Sequence, residues 1–494
     1  MELASLWRYL VLAGSLCLAT GDGSSVPQAE SQESPIPSYP DPNPLILTPW
    51  IKNCSFDVAR NKSKLDIFKT AGVKANAYSG FITVNDEAQS NLFFIFIEAE
   101  NNASNAPLML WTPGGPGLPV LLSLLLQNGP VQLNASGTGL LPRELTIQKH
   151  MSVIYLDAPV GAGYSFTKNK SGYATKMENI TKDIKEFLNQ FLAVFEQYKN
   201  RDFYAGGDSY AARYSVALAD DMLKNPDDVP LKFQGVIGGV GFLAPILDLA
   251  DSSDFLLQTS MLNRKGYVEF KSSFEMMKNL TKTFHPDNYT MALGILFRTI
   301  FTSEPKTLFQ NLTLYNSHAS PLYTERPLPM MLSFGFANDP KFKIAIHAGV
   351  NTSLQYDNKE LQTRLIFDWL VDITDKVKYV LEHTRVLFYT GQLDALFPSA
   401  NSQAYFEKLN WTHSEEYQKA ERDLWHPYGR YLPLPGNITL PLSASGYTKS
   451  AGNFTSAVVL GMGHYAGFDK PAEIYKLILD FLEKKIAFSS QQVQ

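Results

Sequence analysis

The stretch YAGGDSYAARY, residues 204–214, decides how the rest of the chain is read. A short apolar run gives way to Gly-Gly-Asp-Ser and then to a helical pattern. Ser209 therefore stands at a strand-to-helix turn. Gly207 and Ala211, two residues away on either side, are small, as they must be where a strand end folds back on the first turn of a helix. Two roles fit a serine at this place. It is a nucleophile lifted above a sheet, or an N-cap whose hydroxyl accepts from a backbone N–H of the helix. These eleven residues fit both, so the choice rests on partners elsewhere.

Working outward, short apolar runs alternate with helical patterns. The runs are APLMLW (106–111), MSVIYLD (151–157), DFYAGG (202–207), FQGVIGGV (233–240), TRVLFYTG (384–391) and TSAVVLGMG (455–463). ITKDIKEFLNQFLAVFEQY (180–198) and YAARYSVALADDML (210–223) show the helical spacing of apolar residues. Strands separated by helices imply an α/β fold with a mostly parallel sheet covered on both faces. Ahead of them YSGFITVN and SNLFFIFIEA, parted by Asn-Asp-Glu, read as an antiparallel hairpin. From about 248 to 338 the alternation disappears, and helix-like segments suit an insertion above the sheet. The expected layout is a signal peptide (1–21), a disordered leader or propeptide (22–47), a first core part (48–247), a helical cap insertion (248–338) and a second core part (339–494).

Composition narrows the class. The 494 residues are 45% hydrophobic and 12% aromatic, enough for a large core, and the net charge of −5 offers no field for nucleic acid. Eight scattered histidines and two cysteines give no metal-ligand spacing, and no cofactor is expected. The N-terminal arginine followed by YLVLAGSLCLATG has the form of a secretory signal, cut near residues 20–23. Its apolar run is short of the ~20 residues of a membrane span, and LPVLLSLLLQ (118–127) is at most a buried helix, so no stable membrane insertion is expected. Thirteen Asn-x-Ser/Thr sequons occur, at Asn53, Asn61, Asn102, Asn134, Asn169, Asn179, Asn279, Asn288, Asn311, Asn351, Asn410, Asn437 and Asn453. Roughly four are expected from composition, so the excess marks a glycoprotein surface. Cys17 leaves with the signal. Cys54 then stands alone, expected to be buried and inert rather than available for a bridge between chains. Oligomeric state is left open. Secretion is the expected fate, with a lysosome-like acidic compartment as the alternative; SSQQVQ at the C-terminus carries no retention signal.

A serine nucleophile needs a base, and the base needs an acid. In the α/β-hydrolase fold these follow in the order Ser, acid, His. Asp394 lies just past the strand that opens VLFYTGQLDALF and His464 just past VVLGMG, each beyond a strand end and in that order. Singly, Asp394 could cap a turn and His464 could bond to backbone; together they fit a triad with Ser209. WTPGGPG supplies Gly114 and Gly115 at another strand end, where bare backbone N–H groups can approach a substrate oxygen. Gly115 and Tyr210 are the candidate oxyanion donors, although a plain Gly-Pro turn would read alike.

Four blocks in order, LWTPGGPG, YLDAPVGAGYSF (155–166), YAGGDSYAARY, and GQLDALF with GMGHYAGFDKP, give the chain a close resemblance to the serine carboxypeptidases. LTPWIKN, the 78–99 hairpin and AIHAGV (345–350) match as well, and the cysteine-poor pattern and GQLD resemble the vitellogenic-like branch most. The resemblance spans about 47–485 and is weakest through 250–335. It implies an α/β-hydrolase fold, peptide or protein substrates, Ser209, Asp394 and His464 as catalytic residues, and Gly115 and Tyr210 as oxyanion donors.

The resemblance also implies a grip on the substrate's C-terminal carboxylate, and there the chain departs. Pro113 stands where the family has an asparagine, Gln127 where it has a glutamate, and Asp208 where it has the second glutamate; Leu118-Pro119 replaces a Cys-Ser pair. Gly114, Gln127 and Asp208 remain as substrate-binding candidates. Two facing glutamates would share a proton. Gln127 opposite Asp208 keeps one contact and relaxes the need for acid. Losing the asparagine's bond to a charged group costs ~1.5–3 kcal/mol. The expected function is a secreted serine-type carboxypeptidase with atypical carboxylate recognition. An acyltransferase or esterase relative and a low-activity secreted scaffold are the alternatives.

Overall fold

In the segment 77–97 two strands rich in aromatic and branched apolar residues are buried along most of their length. β1 (Lys64–Leu65), β2 (Ala77–Asn85) and β3 (Ser90–Ile97) pair antiparallel in sequence, as the hairpin reading requires. This computed structural model describes residues 42–283, 285–301, 305–434 and 438–484. The expected signal peptide, Cys17, the expected leader up to 41 and Asn437 lie outside them.

Further along come β4 (Leu108–Thr112), the ribbon of β5 (Val131–Leu133) and β6 (Leu140–Pro142), then β7 (Ser152–Leu156), β8 (Asp202–Asp208), β9 (Lys232–Gly239) and β10 (Arg385–Gly391). β11 (Asp423–Trp425), a second ribbon of β12 (Tyr431–Leu434) and β13 (Ile438–Pro441), β14 (Gly446–Ala451) and β15 (Phe454–Val459) follow. The main sheet has eleven strands in the order β1-β2-β3-β7-β4-β8-β9-β10-β15-β14-β11. The six from β7 to β15 in that order run parallel, with antiparallel strands at both flanks. The expected α/β class, a mostly parallel sheet with helices on both faces, is what the structure shows.

Why both faces are covered is visible in the strands. Side chains alternate across a strand, and here both sets are apolar. Phe94 and Phe96 of β3, Leu108 and Leu110 of β4 and Ile154 of β7 enter one core. Their neighbours Phe93, Ile95, Met109, Trp111 and Tyr155 enter the other. The helix Met177–Val194 closes the first core with Ile180, Ile184, Phe187, Leu188 and Phe191 on one stripe. Leu121–Leu126, buried at every residue, and Pro471–Leu482 close the second.

Between β9 and β10 the chain leaves the sheet. Helices Ser253–Gln258, Arg264–Thr281, Pro286–Leu296, Leu308–Thr313 and Leu328–Ala337 fill the stretch, and further helices continue to Thr374–His383. Two sequence expectations change. The leader does not end at 47: Leu45 and Leu47 are buried, Phe81 N–H donates to the Leu45 carbonyl at 2.8 Å, and Leu47 N–H donates to the Phe81 carbonyl at 2.8 Å. An apolar pair at the end of a polar leader docks because β2 offers an apolar neighbour. Cys54 is exposed, not buried, and sits at positive φ in the turn that ends helix Thr48–Lys52.

Candidate active site

β8 ends at Asp208 and the helix Tyr210–Lys224 begins two residues later, with Ser209 alone in the turn at φ 61°, ψ −122°. A non-glycine residue held there stores strain of ~1–3 kcal/mol. Backbone bonds impose it: Ser209 N–H donates to the Gly239 carbonyl at 2.8 Å, and the Ser209 carbonyl accepts from Phe242 N–H at 3.0 Å. Gly207 must be bare, because a Cβ there would lie 2.6 Å from Ala211 Cβ. The Ser209 side chain makes no capping bond to its helix, which removes the N-cap alternative.

Instead Ser209 Oγ lies 3.0 Å from His464 Nε2, and His464 Nδ1 lies 2.8 Å from Asp394 Oδ2. Asp394 is fully buried, and its other oxygen accepts the N–H groups of Leu396 and Phe397 at 2.9 and 2.8 Å. A carboxylate that only accepts places the imidazole proton on Nδ1 and leaves Nε2 free to take a proton from Ser209. Burial alone would lower the His464 pKa, but Asp394, helped by Asp208 and Asp469, holds it above its ordinary value. One carbonyl braces both loops: Ala319 accepts from His464 N–H at 3.0 Å and from Ala395 N–H at 3.4 Å.

The glycine turn after β4 packs against the elbow. Gly114 backs onto the elbow, where a Cβ would fall 2.9 Å from Ser209 Cβ and 3.2 Å from Tyr210 N. Gly115, next along, is exposed at φ +121°. Among the described residues neither the Gly115 nor the Tyr210 N–H finds a backbone acceptor; Tyr210 opens its helix, where N–H groups have no intrahelical partner.

The expected pairing of Gln127 with Asp208 is not what the structure shows. Asp208 Oδ1 accepts from Tyr389 OH at 2.8 Å, and its Oδ2 is buried without a partner among the described residues. Asp208, Gly239 and Tyr389 are opposite one another on β8, β9 and β10. The phenol crosses over Gly239, where a Cβ would meet Asp208 Oδ1 at 2.0 Å and Tyr389 OH at 2.3 Å. Aspartate, one methylene shorter than glutamate, is caught by this phenol. Burial pushes the Asp208 pKa up to about 6, against the lowering effects of Tyr389 and His464. Gln127 packs on the His464 loop: a Cβ on Gly467 would lie 2.8 Å from its Cβ. Pro113 is buried beside Gly114.

Three supporting residues escaped the sequence reading. Tyr389 read only as one of several aromatics in a strand, and the cross-strand register that aims it at Asp208 has no local signal. Asp469 accepts Gly463 N–H at 2.8 Å and Tyr323 OH at 3.0 Å, and burial raises its pKa to about 6. His318, beside Ala319, is pushed down to about 3 by burial, with the charges of Arg326 and His464 adding to the effect.

A hydroxyl, an imidazole and a buried carboxylate in line, with open N–H groups beside the hydroxyl, make a site for acyl transfer. A profile described as serine carboxypeptidase matches residues 68–484. The chain is 31% identical to the venom serine carboxypeptidase of Apis mellifera over 459 residues, covering 90% of this chain and 91% of the relative. It is 29% identical over 487 residues to the probable serine carboxypeptidase CPVL of Homo sapiens, covering 97% and 98%. Against the vitellogenic carboxypeptidase of Aedes aegypti identity is 26%, with 89% of each chain covered. The solved structure of Kex1Δp, a prohormone-processing carboxypeptidase from Saccharomyces cerevisiae, superposes with a TM-score of 0.70 at 17% identity, over 88% of this chain and 98% of that one. The chain belongs to the serine carboxypeptidase family, hydrolases of the α/β fold.

Proposed function

We propose that the protein is a secreted carboxypeptidase that removes C-terminal residues from peptides or proteins through Ser209, His464 and Asp394. The observation that carries this reading is the continuous hydrogen-bonded line from Ser209 Oγ through both ring nitrogens of His464 to Asp394 Oδ2. Ser209 Oγ attacks the carbonyl carbon of the last peptide bond while its proton passes to His464 Nε2. The carbonyl oxygen, now negative, takes the N–H groups of Gly115 and Tyr210. Collapse breaks the C–N bond, and His464 gives its proton to the departing amine. Water then repeats the sequence on the acyl-serine ester, its proton passing through His464 back to Ser209.

The free carboxylate of the substrate is held through the Gly114 backbone, the Gln127 amide and the unpartnered Oδ2 of Asp208. Protonated, that oxygen donates to a carboxylate; ionised, it repels one. Without an asparagine at Pro113 the grip is weaker than the family's. Secretion rests on the N-terminal apolar segment and on the sequons: of the twelve described sequon asparagines none is buried. Among the described residues no helix is long and apolar enough to cross a membrane.

The test is release of the C-terminal residue from an N-blocked dipeptide and from its C-terminal amide, with Ser209→Ala alongside. Cleavage of the acid with loss of roughly 10⁴-fold or more in the variant is expected. If neither substrate is cleaved by the natural protein, the carboxypeptidase reading fails; cleavage of simple esters alone would favour the acyltransferase or esterase alternative.

A further inference from the structure

The residue that follows Ser209 is fastened from outside the elbow. Tyr210 OH donates to Asp368 Oδ2 at 2.5 Å. Asp368 belongs to the short 3-10 turn Ile366–Leu370, far from the elbow in sequence. Arg213, one turn along the helix that Tyr210 opens, donates to the Asp368 carbonyl at 3.1 Å and to the Val371 carbonyl at 2.9 Å, and approaches the Asp368 carboxylate at 3.5 Å. Its guanidinium also lies over the Phe242 ring, 4.3 Å from the centroid. Arg213 and Asp368 are 1% and 2% exposed.

Burying two charges is a poor route to stability, since the loss of hydration offsets most of their attraction. The arrangement does have a geometric effect. The helix starts at Tyr210 and its first N–H is the proposed oxyanion donor, so any rotation of the first turn moves that donor. Holding the Tyr210 side chain at its tip and the helix at Arg213 fixes the turn at two points.

We propose that Asp368 and Arg213 are positioning residues that aim the Tyr210 N–H at the developing oxyanion by clamping the Tyr210 side chain and its helix turn. The proposal rests on the reading of Ser209 as nucleophile. Because the oxyanion exists only in the transition state, loosening the clamp lowers kcat and leaves substrate binding alone.

Tyr210→Phe and Asp368→Asn, singly and together in the full-length protein, test it against an N-blocked dipeptide. Two ligands accompany the substrate: a peptidyl boronic acid, which forms a tetrahedral adduct on a serine, and the N-blocked amino acid product. Removing an oxyanion donor outright costs ~10²–10³ in kcat, so misaiming one is expected to cost roughly tenfold, with KM within about twofold. Boronate affinity should fall by the same factor and product affinity should hold. The double variant should be no worse than the worse single one. Unchanged kcat in Tyr210→Phe, equal losses in product and boronate binding, or multiplying effects would overturn the proposal. Should Asp368→Asn not fold, Tyr210→Phe, which removes one hydroxyl, decides alone. An inactive natural protein would sink the carboxypeptidase reading itself, whereas an active one with an unaffected Tyr210→Phe sinks only the clamp.

Discussion

In the proposed mechanism Asp208 and His464 set opposite limits on pH. The imidazole acts as a base only when neutral, and its pKa is raised, so activity falls as pH drops through that value. The Asp208 carboxyl, raised to about 6, is protonated below that pH and ionised above it. For a free-acid substrate kcat/KM is therefore expected to be bell-shaped, with KM climbing roughly tenfold per pH unit on the alkaline side. For the C-terminal amide only the acid limb should remain, because no carboxylate is repelled. Matching profiles for the two substrates would show that Asp208 does not touch the C-terminus. The Tyr389 bond favours the ionised form of Asp208, so Tyr389→Phe should shift the alkaline limb to higher pH; an unmoved limb would dissociate Tyr389 from recognition. The sequence pointed at Asp208 but paired it with Gln127, and from that pairing came the expectation of a relaxed acid requirement. The structure points the other way, because the titrating group keeps its own burial whatever residue 127 is.

Elements that bury one stripe or one face were legible, and those held by their neighbours were not. The hairpin of β2 and β3 and the helix Met177–Val194 announce themselves by apolar spacing. β14 does not: GYTKSA has no apolar alternation and gains its place by pairing with β15 on one side and β11 on the other. The 3-10 turn that carries Asp368 was equally silent, since its partners are about 155 positions away in the chain. Packing gives a direct check. Phe191 stands edge-on to Phe94 and Phe96 and stacks on Phe187 and Phe195. Phe191→Ala is expected to cost ~3–5 kcal/mol, read as a lowered denaturation midpoint with an unchanged m-value. A loss under ~1 kcal/mol would mean the site refills and the aromatic cluster is not the anchor of that face.

At the scale of the molecule, the proposed secretion makes a prediction about the surface. Nine of the twelve described sequon asparagines are exposed and three are half-buried. Protein made in a secretory host should lose several steps of apparent mass on enzymatic deglycosylation, and a single step would contradict a densely glycosylated surface. The triad was readable because the fold fixes its chain order, and each member stands just past a strand end. The braces at Ala319, Tyr389 and Asp368 were not readable, because they act through backbone or through register. Chain order has one more consequence. β15 follows every other strand of the main sheet in sequence, yet it lies inside the sheet between β10 and β14, and His464 comes directly after it. While the ribosome is still short of that strand, the sheet has a gap and the serine has no base. The growing chain is therefore expected to lack hydrolytic activity until β15 and His464 have been synthesised, and a chain truncated before β15 should show none.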